Sequence, residues 1–202
     1  MAYAHSETFE ASMRQTAAPI PVKIVIAGGF GVGKTTFVGA ISEIEPLTTE
    51  GAMTTVGAEI DDAGHISTKT TTTVAMDFGR ITIDDSVFLY LFGTPGQDRF
   101  GFMWDDLIRG ALGAVVMADS SRPQDCFPAL DYFESRDIPF IVAVNEFDGR
   151  LAFNLDEVRL ALDVDPQVPV ISMDARERQS VKDTILVLLD EVLSRALSRT
   201  GA

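Results

Sequence analysis

The chain has 202 residues, 46% hydrophobic and 23% charged, with 30 acidic side chains against 16 basic ones and a net charge of −14. That length suffices for one α/β domain with a proper core, and that charge argues against nucleic acid or an anionic membrane surface as a partner. A single cysteine, Cys126, excludes an internal disulfide and fits a cytoplasmic setting, and no apolar run approaches the roughly 20 residues that span a bilayer.

Residues 1–20 are polar and alanine-rich without a period, and read as a mobile arm ahead of a single domain at residues 21–197. Lys23–Ala27 is a short apolar run expected to form a buried strand. Gly28-Gly29-Phe30-Gly31-Val32-Gly33-Lys34-Thr35 follows it and fits G-x-x-x-x-G-K-[ST]. The glycines let backbone N–H groups converge on one point, and the next helix adds its positive N-terminal end there. Lys34 sets a full charge near β- and γ-phosphates, and Thr35 offers a hydroxyl to Mg²⁺. With Thr36, which opens the helix, residues 28–36 form the expected phosphate-binding set. Phe37, Val38, Ile41 and Ile44 keep helical spacing.

Residues 46–72 are rich in threonine, glycine and small side chains, and read as a long functional loop. Val74, Met76 and Phe78 then alternate as in a half-buried strand running to Ile83. Asp84-Asp85-Ser86 is a turn, and Val87–Phe92 completes an antiparallel hairpin. Gly93-Thr94-Pro95-Gly96-Gln97-Asp98 breaks that strand. Phe100, Trp104, Leu107 and Ile108 share one helical face, read as a core stripe, with Phe102 and Trp104 as an alternative partner surface. A strand at Val115–Ala118, a helix around Phe127–Phe133 and a strand at Ile138–Val144 lead to Asn145-Glu146-Phe147-Asp148. A short helix near Asp156–Leu162, a strand at Val168–Ser172 and a last helix complete the order. That helix is expected to bury Val181, Ile185, Leu188, Leu189, Val192 and Leu193. Such alternation predicts a mainly parallel sheet covered on both faces, with its ligand beyond the carboxyl ends of the strands.

From Val22 to Leu193 this constellation resembles the Ras-like small GTPases. The resemblance implies a three-layer P-loop NTPase of G-domain type, with a mostly parallel six-stranded sheet and one antiparallel edge strand. Gly28–Thr35 is the phosphate loop. Thr73-Val74-Ala75-Met76-Asp77-Phe78 resembles switch I, whose threonine binds Mg²⁺ and the γ-phosphate; Thr54-Thr55-Val56-Gly57 is a second match. Thr94-Pro95-Gly96-Gln97 resembles switch II, with the Gly96 N–H on the γ-phosphate and Gln97 orienting the attacking water. Asn145 and Asp148 resemble the guanine-reading pair, supported by Asp174-Ala175-Arg176. The resemblance thus implies GTP/GDP and Mg²⁺ as cofactors. Lys34 and Gln97 are the implied catalytic groups, and Thr35 and Thr73 the metal ligands.

Within that family the chain is most similar to the bacterial gliding-motility regulators (MglA-like proteins) and the GTP-binding members of actinobacterial conservons. A roadblock-fold regulator and an effector protein are the implied partners. Ala2 stands where a myristoylation signal needs glycine, and Ser198–Ala202 lacks a prenylation cysteine, so any membrane association is expected through a partner. Four positions depart from the pattern. Gly93 replaces the aspartate that holds Mg²⁺ through water, which leaves a thinner set of ligands. Glu146 replaces a lysine, Phe30 a small residue, and Thr72 an arginine. A switch with slow, partner-dependent hydrolysis is the expected function. A nucleotide-binding adaptor that does not cycle and a P-loop phosphotransferase or ATPase are the alternatives.

Overall fold

A computed structural model describes residues 19–45, 47–53, 72–96 and 103–201; the arm at residues 1–18 lies outside them. Among the described residues seven strands form one sheet. They are β1 (Ile20–Gly28), β2 (Leu47–Met53), β3 (Thr72–Asp84), β4 (Val87–Gly93), β5 (Ala111–Ala118), β6 (Phe140–Asn145) and β7 (Val170–Met173). The helices are α1 (Lys34–Ile41), α2 (Trp104–Ile108), α3 (Phe127–Ser135), α4 (Leu155–Leu162) and α5 (Arg178–Thr200).

The strands lie in the order β2-β3-β4-β1-β5-β6-β7. All pairs from β4 to β7 are parallel, and β3 runs against both of its neighbours. The mainly parallel, three-layer architecture and the β3–β4 hairpin are as expected. The strand count is corrected to seven, because Leu47–Met53, inside the stretch read as a loop, pairs along β3. Its Thr-Thr-Glu-Gly-Ala run carries no apolar alternation, so the edge position comes from pairing and not from a sequence period.

Two apolar layers cover the sheet. On one face Ile24, Ile26, Leu91, Val115 and Ile141 pack under α1 and α5 through Phe37, Val38, Ile41, Val181, Ile185 and Leu188. On the other, Val25, Val116 and Val142 meet Trp104, Ile108, Leu130, Phe133 and Val158 from α2, α3 and α4. Trp104 is therefore core. All six β6 side chains are buried, as a central parallel strand requires. Asn154 caps α4 in a reciprocal pair with Glu157, both bonds at 3.0 Å, a contribution of about 1 kcal/mol.

Two side-chain assignments differ from the sequence pattern. Met76 and Phe78 are half-buried, while Asp77, Gly79 and Ile81 form the buried face of β3. That face lies against α1: a Cβ at Gly79 would sit 2.7 Å from Val38 Cγ1. On α5, Leu193 is 57% exposed. Val181, Ile185, Leu188 and Val192 follow one helical stripe, and Leu193 stands about 100° round from it. Cys126 is buried, and desolvation pushes its thiol up to about 12, so the group is inert.

Candidate nucleotide site

β1 is buried from Ile24 to Gly28, where φ becomes +138°. Gly31 at +76° and Gly33 at +106° continue the curl into α1. Gly33 is doubly constrained, since an added Cβ would also lie 2.8 Å from Asn145 Nδ2. Gly28, Gly29 and Val32 are buried, whereas Gly31, Thr35 and Thr36 are exposed. Phe30 is 70% exposed, so its ring projects at the rim instead of filling the site.

Lys34 is 8% exposed. Its ammonium donates to the carbonyls of Gly28 and Gly29 at 2.8 and 2.7 Å. Burial pushes its pKa down to about 8, partly opposed by the carboxylate of Asp77. The loop thus holds a cation short of counter-charge, on the floor of a cavity of about 310 Å³ shared with Thr35, Thr36, Asp77, Thr94 and Gly96. A larger depression of about 790 Å³ lies at the opposite end of the strands, beside Glu134, Asp137, Asp163, Asp165 and Glu191. It also holds Arg195 and Arg199, but both are paired with Asp137 or Glu191 and the remaining carboxylates repel phosphate, so the smaller cavity, with the glycine loop and Lys34, is the candidate site.

Asp77 is the residue that sequence reasoning missed. It pairs with Gly93 across β3 and β4. Its side chain is buried, and Oδ2 accepts a hydrogen bond from the Thr35 hydroxyl at 2.7 Å. A Cβ on Gly93 would lie 3.0 Å from both Asp77 Cβ and Asp77 Oδ2. The space beside Gly93 is therefore filled by a carboxylate from the neighbouring strand. A signal was present: Asp77 stands in the middle of an alternating strand, on the face opposite Met76 and Phe78.

A hydroxyl and a carboxylate at hydrogen-bond distance, next to a phosphate cradle, fit Mg²⁺, which takes one or two protein oxygens and completes its shell with phosphate and water. Among the described residues no cluster of three His, Cys, Asp or Glu side chains forms a metal cage by itself. Thr73 is within β3, which begins at Thr72 and not after Thr73. It pairs with Ala52, four residues from Asp77, or about 13 Å at strand spacing. Thr54–Gly57 and Gln97 lie outside the described residues. Gly96 closes the cavity: a Cβ there would lie 2.8 Å from Lys34 Nζ and 2.9 Å from Phe30 Cα.

The residues expected to face the base are assembled from β6 and the turn after β7. Asn145 is 5% exposed. Its Nδ2 donates to Val32 O and its Oδ1 accepts from the Ala175 N–H, both at 3.0 Å. One amide thus ties the phosphate loop to the 174–176 turn. Asp148, at φ +56°, presents an exposed carboxylate. Arg176 reaches it at 3.2 Å and also forks onto Asp174 at 3.0 and 2.8 Å. The hydrogen bonds from Arg176 hold the Asp174 carboxyl below its ordinary pKa. The Glu146 N–H is tied to Met173 O at 2.7 Å.

Among the described residues no helix is long and apolar enough to cross a membrane. The FeoB G-domain from Methanococcus jannaschii aligns over 85% of this chain and 97% of its own length, at TM-score 0.56 and 13% identity. The cytosolic domain of the T. maritima FeoB iron transporter aligns over 86% of this chain and 64% of its own, at TM-score 0.58 and 18% identity. These likenesses show the fold, a G domain. In sequence the chain is 34% identical over 129 residues to the uncharacterized protein MJ1339 of Methanocaldococcus jannaschii, covering 63% of this chain and 71% of that protein. The family described as "Conserved hypothetical ATP binding protein" matches residues 26–195, and the chain belongs to that P-loop family.

Proposed function

We propose that the protein is a guanine-nucleotide switch of the gliding-motility and conservon branch, with slow GTP hydrolysis that a roadblock-type regulator accelerates and an effector reads. The observation that carries this reading is the Asn145 bridge, which fixes a base-binding turn against the phosphate loop with Asp148 beside it. A carboxylate accepts from both N1–H and the 2-amino group of guanine; adenine offers no such pair of donors.

Lys34 would contact the β- and γ-phosphates, and the Gly96 N–H the γ-phosphate. Thr35 would hold Mg²⁺ directly and Asp77 through water; the metal would neutralise phosphate charge. Hydrolysis adds one water to the γ-phosphorus and releases GDP and phosphate, with Gln97 orienting that water. Thr72 offers no arginine, which in related sites contributes on the order of 10³–10⁵ in rate, so the isolated protein turns over slowly. The test is competition of GTP and ATP for the site, followed by single-turnover hydrolysis. Equal binding of ATP would transfer the chain to the ATPase reading that its family's description carries. A non-cycling adaptor is the second reading, favoured by Glu146 in place of the lysine of the base-reading motif; absence of turnover with any partner would select it.

A further inference from the structure

Thr94 follows β4, and its N–H donates to Ile26 O at 2.8 Å, extending the β1–β4 ladder by one step. The residue is 2% exposed, and its hydroxyl oxygen is buried with no hydrogen-bond partner among the described residues. Arg80 Nε and Trp104 Nε1 share that condition. Those two groups belong to aromatic packing: Arg80 lies over the Phe88 ring, and Trp104 packs on Tyr132 and Phe133. Of the three residues, Thr94 alone lines the phosphate cavity, with Lys34, Thr35, Asp77 and Gly96.

Valine has the shape of threonine and would leave no polar atom stranded at this place. A buried hydroxyl without a partner is disfavoured, and native structures satisfy the large majority of such groups. The cavity it lines is where oxygen atoms would arrive with a ligand. Resting on the phosphate-site reading above, we propose that Thr94 is a ligand-positioning residue whose hydroxyl donates to an oxygen that enters with the nucleotide. That oxygen belongs to a phosphate or to a water of the metal's hydration shell. The role is separate from that of Gly96, which acts through its backbone, and it makes the end of β4 a sensor of cavity occupancy.

The experiment compares wild type, Thr94→Val, Thr94→Ser and Thr94→Ala in two measurements. One is thermal unfolding without nucleotide; the other is calorimetric titration with GDP and a non-hydrolysable GTP analogue, in Mg²⁺ and in EDTA. Thr94→Val should unfold at the wild-type temperature or above, and should bind roughly ten- to a hundredfold more weakly, the worth of one hydrogen bond to a charged acceptor. Thr94→Ser should keep most of the affinity and Thr94→Ala should lose it, which preserves the test if the valine variant folds poorly. A deficit that disappears in EDTA assigns the oxygen to the metal's water; one that persists assigns it to phosphate. Two results overturn the proposal. One is Thr94→Val binding as tightly as a wild type that binds well. The other is equal loss of stability with and without nucleotide, the mark of a hydroxyl serving a permanently buried water. A wild type that binds no nucleotide removes the phosphate-site reading itself, and this role with it.

Discussion

Returning the carboxylate from β3 to β4 should take two substitutions. Gly93→Asp alone would place its Cβ 3.0 Å from Asp77 Oδ2 and set a second carboxylate beside the first. Two such charges about 4 Å apart at an effective dielectric of about 20 repel by about 4 kcal/mol. In a domain of this size each kcal/mol moves Tm by about 2–4 °C, so the variant should lose about 10 °C. Asp77→Ala should behave differently. Thr35 is exposed, and water replaces its lost hydrogen bond, but the buried Lys34 ammonium loses the carboxylate that offsets its desolvation, so a moderate loss of stability is expected. Affinity for Mg²⁺-nucleotide should fall by one charged hydrogen bond, about 1.5–3 kcal/mol or roughly ten- to a hundredfold, with a smaller loss in EDTA. The double variant Asp77→Ala/Gly93→Asp should recover stability and most of the metal-dependent affinity. Thermal unfolding and calorimetric titration with GDP, with and without Mg²⁺, measure the coupling. Additive effects, or a Gly93→Asp protein as stable as wild type, would refute the idea that Asp77 fills the Gly93 position.

Lys34→Ala should cost a few kcal/mol of nucleotide binding, on the order of a hundredfold or more, and unchanged affinity would remove the basis of the phosphate site. Because Lys34 titrates near 8 in the empty protein, affinity should be level below that pH and fall by up to about tenfold per unit above it, as binding must then take up a proton. Folding has the opposite dependence: between about 8 and the unfolded value of 10.5 the unfolded chain binds more protons at Lys34, so this residue's contribution to stability grows with pH there. Asp148→Asn exchanges one acceptor for a donor, and competition titrations should show weaker GTP binding with gain of XTP binding. Gly33→Ala meets both the φ of +106° and the Asn145 amide at 2.8 Å, so a loss of stability without nucleotide is expected in thermal unfolding. In single-turnover assays Gln97→Leu should abolish hydrolysis and spare affinity, and Thr72→Arg should raise the intrinsic rate.

The sequence by itself determined whatever depends on neighbours along the chain. Gly28–Thr35 encodes its own curl, because glycine φ angles and a following helix are local properties. The apolar runs of β5 and β6, and the stripes of Phe37, Val38 and Ile41 or of Val181, Ile185 and Leu188, declare two covered sheet faces by period alone. Asn145 and Ala175 were legible as motif members at the ends of β6 and β7, and the 3.0 Å bonds from Asn145 to Val32 and Ala175 follow once those ends converge. What only the tertiary structure decided is what depends on register between distant segments. Leu47–Met53 became a strand because β3 offered an unpaired edge, which its composition does not announce. The buried face of β3 turned out to be that of Asp77, because Gly79 lets α1 approach there and not on the Phe78 side. The missing carboxylate at Gly93 seemed a defect while β4 was read alone; pairing with β3 brings Asp77 into that space. Strand pairing joins residues far apart in sequence, and a shift of one position would turn Asp77 to the other face, so the Asp77–Thr35 contact exists only in the folded sheet.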